Sequence, residues 1–282
     1  MSVRERQGQR TISRIFRNNA TKLGVGLVIT IIGFILIGPH IVPFKPTAVT
    51  GPLNSAPSLS HPFGTDYVGH DVMSQVIFGA YPTLIWGVLA AVGATILGFV
   101  AGLFGGYYRK LEVIISTATD VVLSFPSLVL LITFGSIFQA SDQLIAIALV
   151  FILWGGVARG IRSQVSSVKN LPYVNAARTS GLSDWQIVWR VIAPAVGSIG
   201  MAYFVLIVSV AIVLAAAVEF LGVGSLAEVS WGSMLYFAQQ YGFFSGDWWW
   251  VLAPGLLLAL TATGFALIGF SVEETLNPRL RK

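Results

Sequence analysis

The chain has 282 residues, 55% of them hydrophobic and only 10% charged, with a net charge of +5 and a mean hydropathy of +0.79. That balance excludes an ordinary soluble domain. There is no cysteine, which excludes disulfides, thiolate metal sites and a cysteine nucleophile.

Residues 1–22 form a basic tail carrying Arg4, Arg6, Arg10, Arg14, Arg17 and Lys22, with Ile12, Ile15 and Phe16 among the charges. The tail is expected to lie in the cytoplasm against lipid headgroups as an interfacial helix. Six apolar spans follow, centred on Leu23–Ile41, Leu84–Phe104, Ile114–Phe138, Leu144–Val157, Ile199–Val218 and Trp249–Phe270. Each approaches the roughly 20 residues needed to cross hydrocarbon. Each must be helical, because lipid offers no partner to a backbone N–H or C=O. The first span is read as a retained anchor, since no small-residue cleavage site accompanies it. The fourth is the shortest and reaches full length only by including Gly155–Gly160.

Lys and Arg set the orientation. With six spans, 16 of the 17 basic residues fall on one side, and only Lys45 falls on the other. Both termini are therefore expected in the cytoplasm. The same asymmetry accounts for the positive net charge without any nucleic-acid partner.

Between the first two spans, residues 42–83 make a long extracytoplasmic segment. Pro43, Pro46, Pro52 and Pro57 resist regular structure. A short amphipathic helix is expected from His70 to Phe78, with Val72, Met73, Val76 and Ile77 on one face. His61, Asp66, His70 and Asp71 are suitable types for a metal cluster, but their spacing matches no metal signature. Asp66 or Asp71 serves equally as a helix cap.

In the second span, Ala90, Ala94, Gly98, Gly102 and Gly106 recur every four residues. They cut a smooth groove where another helix can approach. In the third, Pro126 follows Ser124-Phe125 and should bend the helix. Tyr107 and Tyr108 at one end of span two, and Trp248, Trp249 and Trp250 opening span six, suit the headgroup level. Asp120 and Glu219 lie near or within apolar spans, where a charge serves either as a helix-end partner or in a pathway or gate.

Residues 162–194 form a structured inner loop. Pro172 suits a first helical turn, Gly181 offers a left-handed stop, and Ser183 with Gln186 reads as a capping box. The expected product is a short helix, a tight turn and a second helix leading to Pro194. No G-x-x-x-x-G-K-S/T phosphate loop occurs anywhere, and no catalytic triad is visible.

This inner loop resembles the EAA loop of binding-protein-dependent ABC transporter permeases, in Ala176-Ala177, Gly181 and Pro194. His61-Pro62-Phe63-Gly64-Thr65-Asp66, Gly69 and Asp71-Val72 resemble the outer loop of the C-type subunit of dipeptide/oligopeptide/nickel permeases. Ser124-Phe125-Pro126-Ser127-Leu128, Glu219-Phe220-Leu221-Gly222-Val223-Gly224, Ser230-Trp231-Gly232 and Asn277-Pro278-Arg279-Leu280 continue the resemblance. The chain departs from the family where an acidic residue is usual, at Asn175. It departs again at Ile192-Ala193-Pro194-Ala195, and at His70 and Gln75, where basic residues are common.

The resemblance implies an all-α polytopic fold, the type I ABC importer permease fold, over residues 23–282, and a non-catalytic subunit of a plasma-membrane importer. Implied partners are a second homologous permease, two ATPases that bind ATP and Mg, and an extracytoplasmic substrate-binding protein. The ATPases would be met by Tyr173, Asn175, Ala176, Ala177, Arg178 and Gly181. Ser124, Phe125, Pro126 and Glu219 would serve the pathway or its gate. Peptides are the first expected cargo, with oligosaccharides or nickel complexes as alternatives. A stand-alone secondary transporter or channel is a more distant one.

Overall fold

A computed structural model describes residues 18–138, 141–242 and 246–276. The tail upstream of Asn18, with Arg4, Arg6, Arg10, Arg14 and Arg17, lies outside them. So do Asn277-Pro278-Arg279-Leu280, Arg281 and Lys282. The described residues are almost entirely helical: α1 (Asn19–Ile41), α2 (Val72–Tyr107), α3 (Arg109–Ser124), α4 (Ser127–Phe138), α5 (Asp142–Val168), α6 (Pro172–Thr179), α7 (Asp184–Ile187), α8 (Ala193–Phe220), α9 (Trp231–Phe237) and α10 (Trp248–Leu276). A π-helical turn, Val188–Ile192, joins α7 to α8 without a break.

Among these residues five helical segments are long and apolar enough to cross a membrane, and the α3–α4 pair makes a sixth if it counts as one span. The chain is a multi-pass membrane protein, as its hydropathy requires. Helix α2 is the centre of the bundle and packs against α5 and α8; α10 joins α8 to α1.

The small residues of α2 explain its closest contact. A Cβ added at Gly98 would fall 2.6 Å from the Trp154 carbonyl, and one at Gly102 would fall 2.7 Å from Ile161 Cβ. At Gly106 it would meet Val165 Cβ at 2.5 Å. With Ala90 and Ala94 also buried, the expected groove is real, and α5 fills it.

Several element boundaries differ from the sequence reading. The third span does not merely bend: its halves meet at 81°. Phe125, held at φ −97° and ψ 140°, is extended, because a residue before proline is driven out of the helical region. The fourth span is not short. It runs 27 residues, and half of its apolar window is buried, the highest share among the spans. Its polar second half obscured its length.

Span two and the expected helix at His70–Phe78 are one helix of 36 residues that carries Pro82. Its flanking residues Gly79, Ala80, Thr83 and Leu84 are buried, and this packing holds the helix through the proline. The tryptophans also divide. Trp248 is 61% exposed, as a headgroup-level ring would be, whereas Trp250 is 1% exposed and stacks on Tyr67 at 5.5 Å.

Candidate functional site: the inner loop and the outer latch

The inner loop builds its short helix from local rules. Leu171 is extended and Pro172 opens α6. The helix ends in a Schellman motif: Gly181 N–H donates to Arg178 O at 3.1 Å and Leu182 N–H to Ala177 O at 3.3 Å. Gly181 has φ +85°, a left-handed conformation that glycine adopts without strain. Then Ser183 caps α7, and the box is complete: Ser183 N–H donates to Gln186 Oε1 at 2.9 Å, and Gln186 N–H to Ser183 Oγ at 3.4 Å.

The apolar hold of α6 on the bundle is one side chain. Val174 is fully buried and joins a cluster with Leu103 of α2, Ile161 and Val165 of α5, and Ile187 and Ile192 of the following segment. Around that anchor, Tyr173, Asn175, Ala176 and Arg178 are exposed and Ala177 is half-buried. The sequence reading named the exposed residues but not Val174. Its apolar i, i+3 spacing from Leu171 was the available signal.

Polar contacts tie the loop to the end of α2. Arg178 Nη2 donates to the Tyr107 hydroxyl at 3.3 Å, and that hydroxyl donates to Asp184 Oδ1. The hydroxyl beside it raises the Arg178 guanidinium above its ordinary range, and an arginine is charged at every physiological pH in any case. Lys169 Nζ donates to the Gly106 carbonyl at 2.8 Å, placing a cation at the carboxyl end of α2.

The opposite end of the bundle is latched by buried polar groups. Asp66, 1% exposed, accepts the backbone N–H groups of Val68, Gly69 and His70 at 2.8–2.9 Å. Its second oxygen meets His70 Nδ1 and the Gln75 amide, each at 2.8 Å. Asp71 caps α2 through Ser74 N–H at 2.8 Å and contacts His61 Nδ1 at 3.0 Å. These pairs occupy the carboxylates, and no cluster of three or more His, Asp or Glu residues suited to a metal occurs among the described residues.

Glu219, 6% exposed near the end of α8, accepts from Ser230 Oγ just before α9. Helix α9 is fixed in turn to α2: Trp231 N–H donates to Thr83 Oγ1 and Trp231 Nε1–H to Val76 O, both at 2.9 Å. Ser124, Phe125 and Pro126 are instead exposed at the α3–α4 elbow. The four residues expected in a pathway or gate thus divide between an open elbow and an enclosed latch.

A profile of binding-protein-dependent transport system inner membrane components matches residues 94–282, from the middle of α2 to the C-terminus. The chain belongs to that family. It is 30% identical to a putative peptide transport system permease protein of Brucella abortus, over 96% of this chain and 92% of that protein. It is 36% identical to a dipeptide transport system permease protein of Alkalihalophilus pseudofirmus, over 91% of this chain and 86% of the relative. A glutathione transport system permease protein of Pectobacterium atrosepticum is 29% identical, over 81% and 76%.

Proposed function

We propose that this permease is one of two homologous membrane subunits of an ATP-driven ABC importer for peptides. The observation that carries the reading is α6: a short helix exposed on one side and seated on the other through Val174 in a cluster shared by three membrane helices. A docking helix needs that combination. Its exposed face takes a groove on a partner, and its seat passes the partner's movement to the bundle.

Fuel comes from elsewhere, since the chain has no phosphate loop. Two cytoplasmic ATPases binding ATP and Mg supply it, meeting Tyr173, Asn175, Ala176, Ala177 and Arg178, with Gly181 setting the turn. The chain itself catalyses no reaction. An extracytoplasmic binding protein delivers the cargo to the face formed by residues 42–83 and the outer latch. The asymmetry of the basic residues supports a cytoplasmic side for residues 1–22, the 162–194 loop and both termini, and an importer of this kind works in the plasma membrane. The names of the relatives favour peptides over oligosaccharides or nickel complexes.

ATP-driven closure of the ATPases moves α6, and the bundle alternates between inward-open and outward-open states. The Ser124-Phe125-Pro126 elbow is the hinge of the pathway wall, and Glu219 holds the outer gate by its bond to Ser230. The test is reconstitution of the co-purifying complex in liposomes. Dipeptide uptake is expected to require ATP, the binding protein and both permeases. Uptake by this chain alone without ATP would sink the proposal.

A further inference from the structure

Among the described residues, one exposed ion pair joins a membrane-length helix, α5, to α3, the first half of the bent third span. Arg159 Nη2 of α5 meets Asp120 Oδ1 of α3 at 2.6 Å, and the two side chains are 51% and 65% exposed. Arg159 stands nine residues before the end of α5, about 13 Å along the axis at the usual helical rise. Asp120 stands eleven residues into α3, about 16 Å from its start. Each charge thus stands within its helix rather than at its tip, Arg159 just past the apolar run of α5, where a partner or water must satisfy it.

The pair does not stand alone. Thr117, Asp120 and Ser124 are exposed at three- and four-residue spacing on α3, and Arg159, Ser163 and Ser167 are exposed at four-residue spacing on α5. Such spacing puts each set on one helix face. Helices α3 and α5 pack together, so the ion pair joins the two polar stripes into one lane. The other half of α5 shows the contrast: beyond Gln143 in its first turn, the exposed residues there are Leu144, Ile147 and Phe151, as lipid contact requires. The exposed surface of this helix therefore changes from apolar to polar along its length.

We propose that this lane is part of the wetted wall of the peptide route, and that Asp120 and Arg159 receive the charged ends of a passing peptide. This rests on the import function proposed above and adds to it a contact for zwitterionic cargo. A peptide carboxylate pairs with the Arg159 guanidinium in a planar fork, and its ammonium pairs with Asp120. The exchange trades one internal ion pair for two to the cargo. An exposed pair is weak and opens readily, so the cargo is neither repelled nor trapped, as conduction demands.

The absence of cysteine makes the test clean. Single cysteines are placed at Ser124, Ser163 and Ser167, with Phe151→Cys as the lipid-facing control. Each is assembled into the full complex in liposomes, and labelling of this chain by a charged, membrane-impermeant methanethiosulfonate is read with and without vanadate-trapped nucleotide. The lane positions are expected to react at least tenfold faster than position 151 in one state and to change rate in the other. Lane cysteines that react no faster than Phe151→Cys in both states, in complexes that still import dipeptide, would overturn the lane and leave the import function standing. Loss of ATP-driven uptake by the unmutated complex would instead count against that function.

Arg159→Gln reads the pair itself. Maximal dipeptide uptake is expected to fall at least tenfold, with the apparent KM, set by the binding protein, within twofold, and Arg159→Lys is expected to recover part of the rate. Undiminished uptake by Arg159→Gln overturns the contact. If that variant does not assemble, cysteine labelling decides the lane, and saturating cargo-loaded binding protein must slow labelling of Ser163→Cys for the contact to stand.

Discussion

Buried polar residues at the outer latch have few alternatives to the partners they hold. Thr83 Oγ1 accepts from Trp231 N–H at 2.9 Å and donates to Gly79 O at 2.8 Å, inside a fully enclosed contact. Thr83→Val keeps the shape but leaves the Trp231 N–H without an acceptor, at a cost of about 1–3 kcal/mol. Thermal unfolding in detergent should show it, whereas Thr133→Val, on an exposed helix face, is expected to stay within about 0.5 kcal/mol of the parent. Asp71→Ala removes the α2 cap and the contact to His61. It is expected to cost about 0.5–2 kcal/mol, with the metal content of the purified protein unchanged; a parallel loss of bound metal would revive the metal reading. At this scale, local chemistry was legible in the sequence. Asp71, Gly181, Ser183 and Gln186 act within three or four residues, where spacing alone determines the bond. Thr83 and Trp231 lie 148 positions apart, and no short-range rule connects them.

Helices meet as closely as their smallest residues allow. An added Cβ at Gly98 collides with the Trp154 carbonyl and the Val157 Cβ, and backbone cannot step aside as a flexible side chain can. Gly98→Ala is therefore expected to lower stability by about 1–3 kcal/mol through overpacking of α2 on α5. Gly33 in α1 meets nothing within 4 Å, so Gly33→Ala should be neutral or slightly stabilising. Unfolding temperatures of the two variants, measured side by side, check the pair. The four-residue period of small residues made this contact readable, since it fixes a helix face, and it carried the fold with it. Lengths were harder to read than faces. Polar residues such as Arg159, Arg162 and Ser163 continue α5 beyond its apolar run, so hydropathy stops before the helix does. Pro82 and Pro126 look alike in sequence. Packing on both sides preserves the helix at the first, while exposure at the second lets the chain turn.

Across the whole molecule, the proposed import function raises the question of how movement of an eight-residue helix would reach the far side of a membrane. The chain offers two connections: the apolar seat at Val174, and the Tyr107–Arg178–Asp184 contacts to the end of α2. From there the tight α2–α5 packing and the Trp231 bonds from α2 to α9 continue to the outer latch, so α2 spans the distance as one rigid rod. The exposed half of this arrangement was legible because its turn and caps are local. Its seat was not, because Val174 becomes a core residue only when three distant helices converge on it. Val174→Ala should cost about 1–3 kcal/mol locally and loosen the seat without altering the exposed face. ATP hydrolysis stimulated by loaded binding protein should then persist while peptide imported per ATP falls severalfold. Gly181→Pro acts on the same connection through the backbone. Proline cannot adopt φ +85° and lacks the N–H that bonds Arg178 O, so the turn after α6 must reorganise. Its complex should hydrolyse ATP without matching uptake, and Gly181→Ala, strained by only about 1–2 kcal/mol, should fall between it and the parent. Parental uptake per ATP in both Val174→Ala and Gly181→Pro would mean that α6 does not carry the stroke, and that force enters the bundle elsewhere.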